Sequence, residues 1–201
     1  MSSAGADAMP HIERIREMSH DELRRLLQNS FRILSDPKDI RRRDAESIRD
    51  VISREFHRSV NANEWFPWPS TDAPLGRRGA EINAEDWPPE GMLSWLGYRV
   101  GKTNPTPRAQ REVILDYVFE SELPPLNSHE YFAQWGEPAT PKRLSKIAET
   151  IAAFVRLAKG RIDPRLGRAI SDWEEDLKYL YDKYYVDQFG FDFMWPSTDL
   201  L

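Results

Sequence analysis

The placement of proline is the feature that most constrains how this chain can fold. Four of its 15 prolines directly follow Asp or Thr and directly precede Lys or Arg. These dipeptides are Asp36-Pro37, Thr106-Pro107, Thr140-Pro141 and Asp163-Pro164. Asp and Thr are favoured just before a helix, and proline is tolerated at the first helical position, where its missing N–H would be unpaired anyway. The pattern therefore predicts four helices, each beginning at one of these prolines.

Apolar spacing gives the extent of the predicted helices. After Pro37, apolar residues recur at steps of three and four positions, which predicts a helix to about residue 59. Similar stripes predict helices from residue 107, over residues 141–160 and over residues 164–185, with Trp173 buried against Ile147 and Ile151. A capping box over residues 19–22 predicts another helix to about residue 35. Short helices are predicted over residues 12–18, 90–96 and 129–135.

Residues 65–74 interrupt the helical pattern with three prolines and three aromatic residues. A regular helix is excluded there because proline removes backbone donors and restricts the residue before it. The aromatic residues argue against a disordered linker, so we expect an ordered, extended segment packed across the helices. Residues 97–101 are the only good candidate for a short strand.

These elements predict a mainly α fold. We expect an irregular multi-helix bundle with an extended Trp/Pro-rich segment, an aromatic C-terminal tail and little or no sheet. Residues 1–60 are predicted to form an N-terminal helical hairpin, and residues 61–90 an ordered connector. Residues 91–187 are predicted to form a C-terminal helical module, which the aromatic tail of residues 188–201 follows.

Composition excludes several classes of protein. The formal net charge of −5 excludes a globally basic nucleic-acid coat protein. The lack of cysteine excludes disulfide scaffolds, thiolate metal sites and Cys nucleophiles. The first residues lack the features of a signal peptide, and no apolar run approaches the length of a membrane span. We therefore predict a cytoplasmic protein without membrane contacts.

No catalytic constellation can be assembled from the sequence. Residues 97–103 resemble a phosphate-binding P-loop, but three residues separate the glycines where the motif requires four. The four histidines are not spaced to bind a metal from one helix. Asp176-Leu177-Lys178 has the ending of some nuclease motifs but falls within a predicted helix. We predict no catalytic residue, no metal and no cofactor, and an enzyme is the third interpretation of the chain.

Basic residues concentrate in residues 99–111 and 142–168, and several lie in the first turns of predicted helices. A cation beside free backbone N–H groups can bind an anion, so one interpretation is contact with phosphates. The candidate phosphate-binding residues are Arg108, Arg111, Lys142, Arg143, Lys146 and Arg156. The other interpretation is that the acidic last helix packs beside the basic residues and neutralises them.

A pentapeptide occurs twice in the chain. Trp68-Pro69-Ser70-Thr71-Asp72 recurs identically as residues 195–199. One interpretation is a pair of similar turns closing two ends of the core. The other is a recognition peptide that is used twice. The candidate partner-binding residues are Trp68, Trp195, Phe191 and Phe193.

Three stretches of the sequence resemble an uncharacterised family of bacterial helical proteins. They are LGYRVG (residues 96–101) with REVIL (111–115), WGEP (135–138) with KRLSKIA (142–148), and WEEDL (173–177) with YY (184–185). Such proteins resemble accessory components of mobile or defence islands, so the resemblance implies an association with phage defence. It implies no activity and no catalytic residue.

Taken together, these features predict a non-catalytic protein-interaction or scaffolding component of a bacterial complex. Its partner would be another protein, or a second copy contacted through the aromatic tail. The alternative is an accessory module that binds DNA or RNA through the basic residues. Salt separates the two, because phosphate binding weakens steeply as salt rises whereas an aromatic protein interface changes little.

Overall fold

The computed structural model of the protein describes residues 12–61, 91–124, 133–161, 163–190 and 192–200. These residues form helices joined by turns, and none of them forms a strand. The fold is mainly α, as the sequence predicted. The Trp/Pro-rich connector, including Trp68, lies outside the described residues, as do Phe191 and most of the short helix predicted over residues 129–135.

The described helices follow one another in this order: α1 (Ile12–Ile15), α2 (His20–Leu34), α3 (Arg42–Asn61), α4 (Met92–Trp95), α5 (Arg108–Glu120), α6 (Pro141–Lys159) and α7 (Gly167–Leu180). A 3₁₀ turn, Pro164–Leu166, leads into α7, and a π-helix, Tyr181–Phe189, continues it. Within the described part of the chain, no helix is both long and apolar enough to span a membrane.

Side-chain caps set the starts of α2 and α6. The Ser19 N–H donates to Glu22 Oε2 at 2.8 Å, and the Glu22 N–H donates back to Ser19 Oγ at 3.4 Å. These two bonds are the predicted capping box. At the start of α6, the Arg143 N–H donates to Thr140 Oγ1 at 3.3 Å. Both helix starts are therefore confirmed.

The predicted start of α3 at Pro37 was wrong, since the helix begins five residues later at Arg42. Asp36 Oδ1 accepts the Lys38 N–H at 2.9 Å, and Asp39 Oδ1 accepts the Arg41 N–H at 2.9 Å. Two such side-chain turns occupy the backbone donors that a first helical turn would present. An Asp-Pro pair followed by a second Asp therefore makes a turn here and delays the helix.

The predicted strand at residues 97–101 is a turn. Gly97 and Gly101 have φ values of +92° and +91°, in a region that L side chains rarely adopt. The Thr106 N–H donates to the Arg99 carbonyl at 3.0 Å, so this segment folds back on itself before α5 begins. Its backbone is thereby directed towards α7, where the Gly101 N–H donates to Asp172 Oδ2 at 3.0 Å.

Two helix pairs meet around α5. Helix α2 packs on α3, α6 packs on α7, and α5 contacts α2, α6 and α7. Their buried side chains form one continuous core that includes Phe31, Ile52, Ile114 and Ile147. The N-terminal hairpin is therefore joined to the C-terminal helices by shared apolar packing.

Trp173 lies at the edge of this core and is only partly buried, with its ring 5.7 Å from that of Phe154. The prediction that Trp173 is buried was therefore wrong. The buried positions of α7 include Asp172, one position before Trp173, and Asp176, three positions after it. Helix α7 thus turns two carboxylates into the interior and leaves Trp173 at the margin of the core.

Candidate interaction site

The aromatic tail docks on the last helices of its own chain. The Trp195 ring lies 5.2 Å from that of Tyr181 and 4.9 Å from that of Tyr185. The Phe193 ring lies 5.0 Å from that of Tyr185, and the Tyr185 hydroxyl donates to the Phe193 carbonyl at 2.6 Å. The π-helix thus supplies an aromatic platform for the tail.

The second copy of the repeated pentapeptide, residues 195–199, lies across α6 and α7. Arg156 of α6 donates to the Ser197 carbonyl at 2.6 Å. Thr198 Oγ1 lies 3.4 Å from Glu174 Oε1 and 3.5 Å from Lys159 Nζ, and the last two side chains pair at 2.7 Å. We call the surface that receives these residues the tail groove. It is formed by Arg156, Lys159, Glu174, Leu177, Lys178, Tyr181 and Tyr185.

Within the pentapeptide, the chain makes a tight turn. The Asp199 N–H donates to Ser197 Oγ at 3.0 Å, and Pro196 is buried. Ser and Asp therefore shape the turn, whereas the Trp, Pro and Thr side chains face the groove.

Exposed apolar side chains are concentrated in the tail and in the helices on which it docks. Of the six large apolar residues exposed in the described part of the chain, five belong to the tail or to the helices on which it docks. We call these five the apolar rim: Leu157, Tyr181, Val186, Met194 and Leu200. Met194 is 91% exposed, although Phe193 and Trp195 on either side of it are half-buried. The sixth residue, Ile40, lies between α2 and α3 and is 96% exposed.

Of the residues predicted to bind phosphate, Arg111 is buried. Its Nε lies 2.7 Å from Asp176 Oδ2, its Nη2 lies 3.6 Å from Asp172 Oδ1, and its side chain is 3% exposed. Burial raises the pKa of Asp176, and the hydrogen bonds from Arg111 and Tyr98 oppose that rise. Arg111 is therefore part of a buried ion pair and cannot reach a nucleic-acid backbone.

Arg143 is also buried, and its guanidinium is surrounded by backbone carbonyls. It donates to Val118 and Ser121 at the end of α5 and to Trp135 and Gly136 before α6, at 2.6–3.2 Å. Burial lowers the pKa of Arg143 to about 10, which leaves the side chain charged at neutral pH. The placement of Arg143 in a phosphate-binding face is thus corrected as well.

Three of the remaining candidates have partners within the chain. Arg108 pairs with Glu112 at 2.9 Å, and Arg156 pairs with Glu149 at 3.0 Å. Lys146 lies 5.7 Å from the centre of the Trp135 ring. Lys142 is exposed one position before the buried Arg143. The described contacts thus favour neutralisation of the basic residues by acids of the same chain.

Sequence reasoning missed the carboxylates that Arg111 meets. The Tyr98 hydroxyl donates to Asp176 Oδ2 at 2.6 Å, so Asp176 joins the turn before α5 to α7. Asp172 and Asp176 are four residues apart and share the helix face that buries Ala169 and Leu180. That spacing is the feature by which they could have been found.

A second polar cluster joins α5 to the end of α7 and the π-helix. The hydroxyls of Tyr179 and Tyr184 donate to Asp116 at 2.7–2.8 Å, and Lys183 Nζ lies 2.7 Å from Asp116 Oδ2. Burial, with Asp116 close by, raises the pKa of both tyrosines well above the ordinary value. Both hydroxyls therefore stay protonated donors, so this cluster anchors the π-helix beneath the tail.

The described residues contain no group of three or more His, Asp or Glu side chains that could bind a metal ion. Comparison with protein-family models found no match, and comparisons with curated proteins and with solved structures found no significant match either.

Proposed function

We propose that this protein is a non-catalytic interaction component of a protein complex, and that it contacts its partner through the apolar rim. The observation that carries the proposal is the distribution of exposed apolar side chains, since five of the six in the described residues belong to the docked tail or to the helices on which it docks. Apolar residues that gather on one surface, with polar residues around them, mark protein interaction sites.

The chemistry of the tail groove supports the same proposal. Its rings are partly buried and packed, so the rim is presented on an ordered surface. Charged residues such as Lys178 and Asp182 lie beside the rim, and their ion pair at 2.6 Å is exposed. An apolar centre with a polar border is the usual anatomy of a protein interface.

The setting of this complex is a further part of the proposal. A bacterial, cytoplasmic complex associated with phage defence is what the resemblance and the composition imply. The alternative function, nucleic-acid binding, is weakened because Arg111 and Arg143 are buried. Fewer basic side chains then remain to bind a phosphate backbone.

A photo-reactive residue tests the proposed surface. We would place p-benzoylphenylalanine at Met194 or, as the matched control, at Ile40, since both side chains are more than nine-tenths exposed. Irradiation in the cells that make the protein should yield one discrete adduct from Met194, with its second polypeptide identified by mass spectrometry, and none from Ile40. The adduct should be lost when Leu157→Lys is added. Equal labelling from both positions, or none from Met194, would overturn the proposal.

A further inference from the structure

We propose that the tail groove is a peptide-recognition site, and that its second ligand is residues 66–72 of another copy of this chain. The inference rests on the proposed function, because it names the partner that the apolar rim would meet. Its starting point is the repeat in the sequence, whose C-terminal copy is seen in the groove.

The repeat is longer than five residues when the contacts are considered. Phe66 and Phe193 each stand two positions before the Trp of their copy, so both segments read Phe-x-Trp-Pro-Ser-Thr-Asp. The position that differs holds Pro67 in one copy and Met194 in the other. Seven positions therefore contain six identical residues.

The contacts in the groove explain why six positions are identical in the two copies. The rings of Phe193 and Trp195 pack against that of Tyr185, Pro196 is buried, and Thr198 lies close to Lys159 and Glu174. Ser197 and Asp199 form the turn that presents these side chains.

The position that differs between the two copies is the one whose side chain does not enter the groove. Met194 is 91% exposed, so the side chain at this position does not enter the groove. Pro67 can replace it without loss of a side-chain contact, and its fixed φ reduces the freedom that a peptide loses on binding. Residues 66–72 can therefore make every side-chain contact that residues 193–199 make.

The apolar rim identifies a second copy as the source of this peptide. If residues 66–72 of the same chain replaced the tail, Leu157 and Val186 would stay exposed to water. A second copy that inserts its peptide brings its own surface over the rim and buries these side chains. Because the exchanged contacts are the same, the exchange itself costs little, and burial of the rim favours the assembly.

Cross-linking tests the exchange in the intact groove, and the cysteine-free chain gives no background reaction. Lys178 and Asp199 line the same cavity, and Asp72 of a second copy would take the place of Asp199. We would mix a Lys178→Cys chain with an Asp72→Cys chain and add a short bismaleimide. The positive control is one chain carrying Lys178→Cys and Asp199→Cys. The negative control is the mixture of Lys178→Cys with Ile40→Cys.

The Lys178/Asp72 mixture should form a covalent dimer about tenfold faster than the Lys178/Ile40 mixture, because docking raises the local concentration of the two thiols. Equal rates would overturn the proposal. Linkage only within a single chain that carries both Lys178→Cys and Asp72→Cys would also overturn it, since the peptide would then come from the same copy.

A labelled synthetic peptide of residues 64–75 tests recognition separately. It should bind the full chain carrying Trp195→Ala about tenfold more tightly than the parent, in which the tail competes for the groove. Adding Arg156→Ala should weaken that binding, and a peptide with Trp68→Ala should bind poorly. Equal binding of the unchanged peptide and the Trp68→Ala peptide would contradict recognition of the repeated sequence by the groove. If Trp195→Ala proves misfolded by circular dichroism, the cross-linking result decides.

The two proposals fail in different ways. A Met194 adduct with a different polypeptide, together with no Lys178/Asp72 dimer, overturns the second-copy inference and leaves the proposed function standing. The absence of any Met194 adduct overturns the proposed function, whatever the peptide does.

Discussion

Arg111 and Asp176 form an ion pair inside the protein, with Nε and Oδ2 2.7 Å apart and side chains 3% and 0% exposed. The two residues are 65 positions apart, and they join α5 to α7 at the centre of the C-terminal helices. Removal of one partner leaves the other charge buried without compensation, which is far more costly than loss of an exposed pair.

Arg111→Ala should therefore lower the free energy of unfolding by about 3–5 kcal/mol. Urea denaturation followed by circular dichroism measures it. Arg108→Ala is the matched control on the same helix, because its pair with Glu112 is exposed and should contribute at most about 1 kcal/mol. Similar losses for the two variants would contradict the buried pair.

Arg143 offers a second test of a buried cation. Arg143→Ala should lower the free energy of unfolding by about 2–5 kcal/mol, because backbone carbonyls of two segments would lose their donor. Arg143→Lys should recover little, since an ammonium cannot donate in a planar fork. The neighbouring Lys142→Ala should stay within about 0.5 kcal/mol of the parent. Thermal denaturation of the three variants provides the comparison.

Two tryptophans should respond differently to truncation. Trp135 is 1% exposed, whereas Trp173 is only partly buried at the edge of the core. Trp135→Ala should cost about 3–5 kcal/mol, and Trp173→Ala should cost about half of that or less. Chemical denaturation of both variants ranks them, and a larger loss for Trp173 would place that ring inside the core.

The sequence predicted a helix start correctly where neighbouring side chains alone set that start. The capping box at Ser19 and the Thr140 cap need only neighbouring residues, and both helix starts are as predicted. Asp36-Pro37 failed because a second Asp three residues on competes for the same backbone donors. A local motif is therefore a reliable guide to a helix start only when its neighbours do not offer another turn.

The roles of the arginines could not be predicted in the same way. Arg111 and Lys142 look alike in sequence, since each stands in the first turn of a helix that follows a Thr-Pro pair. What separates them is a partner distant in sequence, Asp176 for Arg111. Arg143 meets backbone carbonyls, which every residue possesses, so no residue pattern could have identified its partners.

Ionisation of Tyr117 lowers the free energy of unfolding at alkaline pH. Burial raises the pKa of Tyr117 from its ordinary value of 10 to about 12, and the nearby Arg49 guanidinium opposes the rise. Since the folded state binds this proton more tightly, its contribution is complete below about pH 10 and is lost as pH rises through 12.

Tyr117→Phe keeps the ring and removes the titration. The free energy of unfolding of the parent should therefore fall more steeply than that of Tyr117→Phe between about pH 10 and 11. Denaturation at a series of pH values measures the difference. Parallel curves would show that Tyr117 ionises as it does in the unfolded chain.

Binding to nucleic acid should be weak. With Arg111 and Arg143 buried, we expect the parent to bind labelled duplex DNA or RNA with a Kd weaker than about 10 µM at physiological salt, as in non-specific binding. Fluorescence anisotropy over a range of salt concentrations measures it. Tighter binding that Lys142→Glu and Lys146→Glu together abolish would restore the nucleic-acid alternative.

The exposure of Met194 makes the apolar rim sensitive to oxidants. Oxidation to the sulfoxide changes a flexible apolar side chain into a polar one. Because this side chain lies outside the tail groove, the tail can remain docked on Tyr181 and Tyr185 after the change. The surface that would meet a partner then carries a polar group at its most exposed point, and the reduction of methionine sulfoxide restores it. An oxidant can thus change the chemistry of the apolar rim while the tail stays docked.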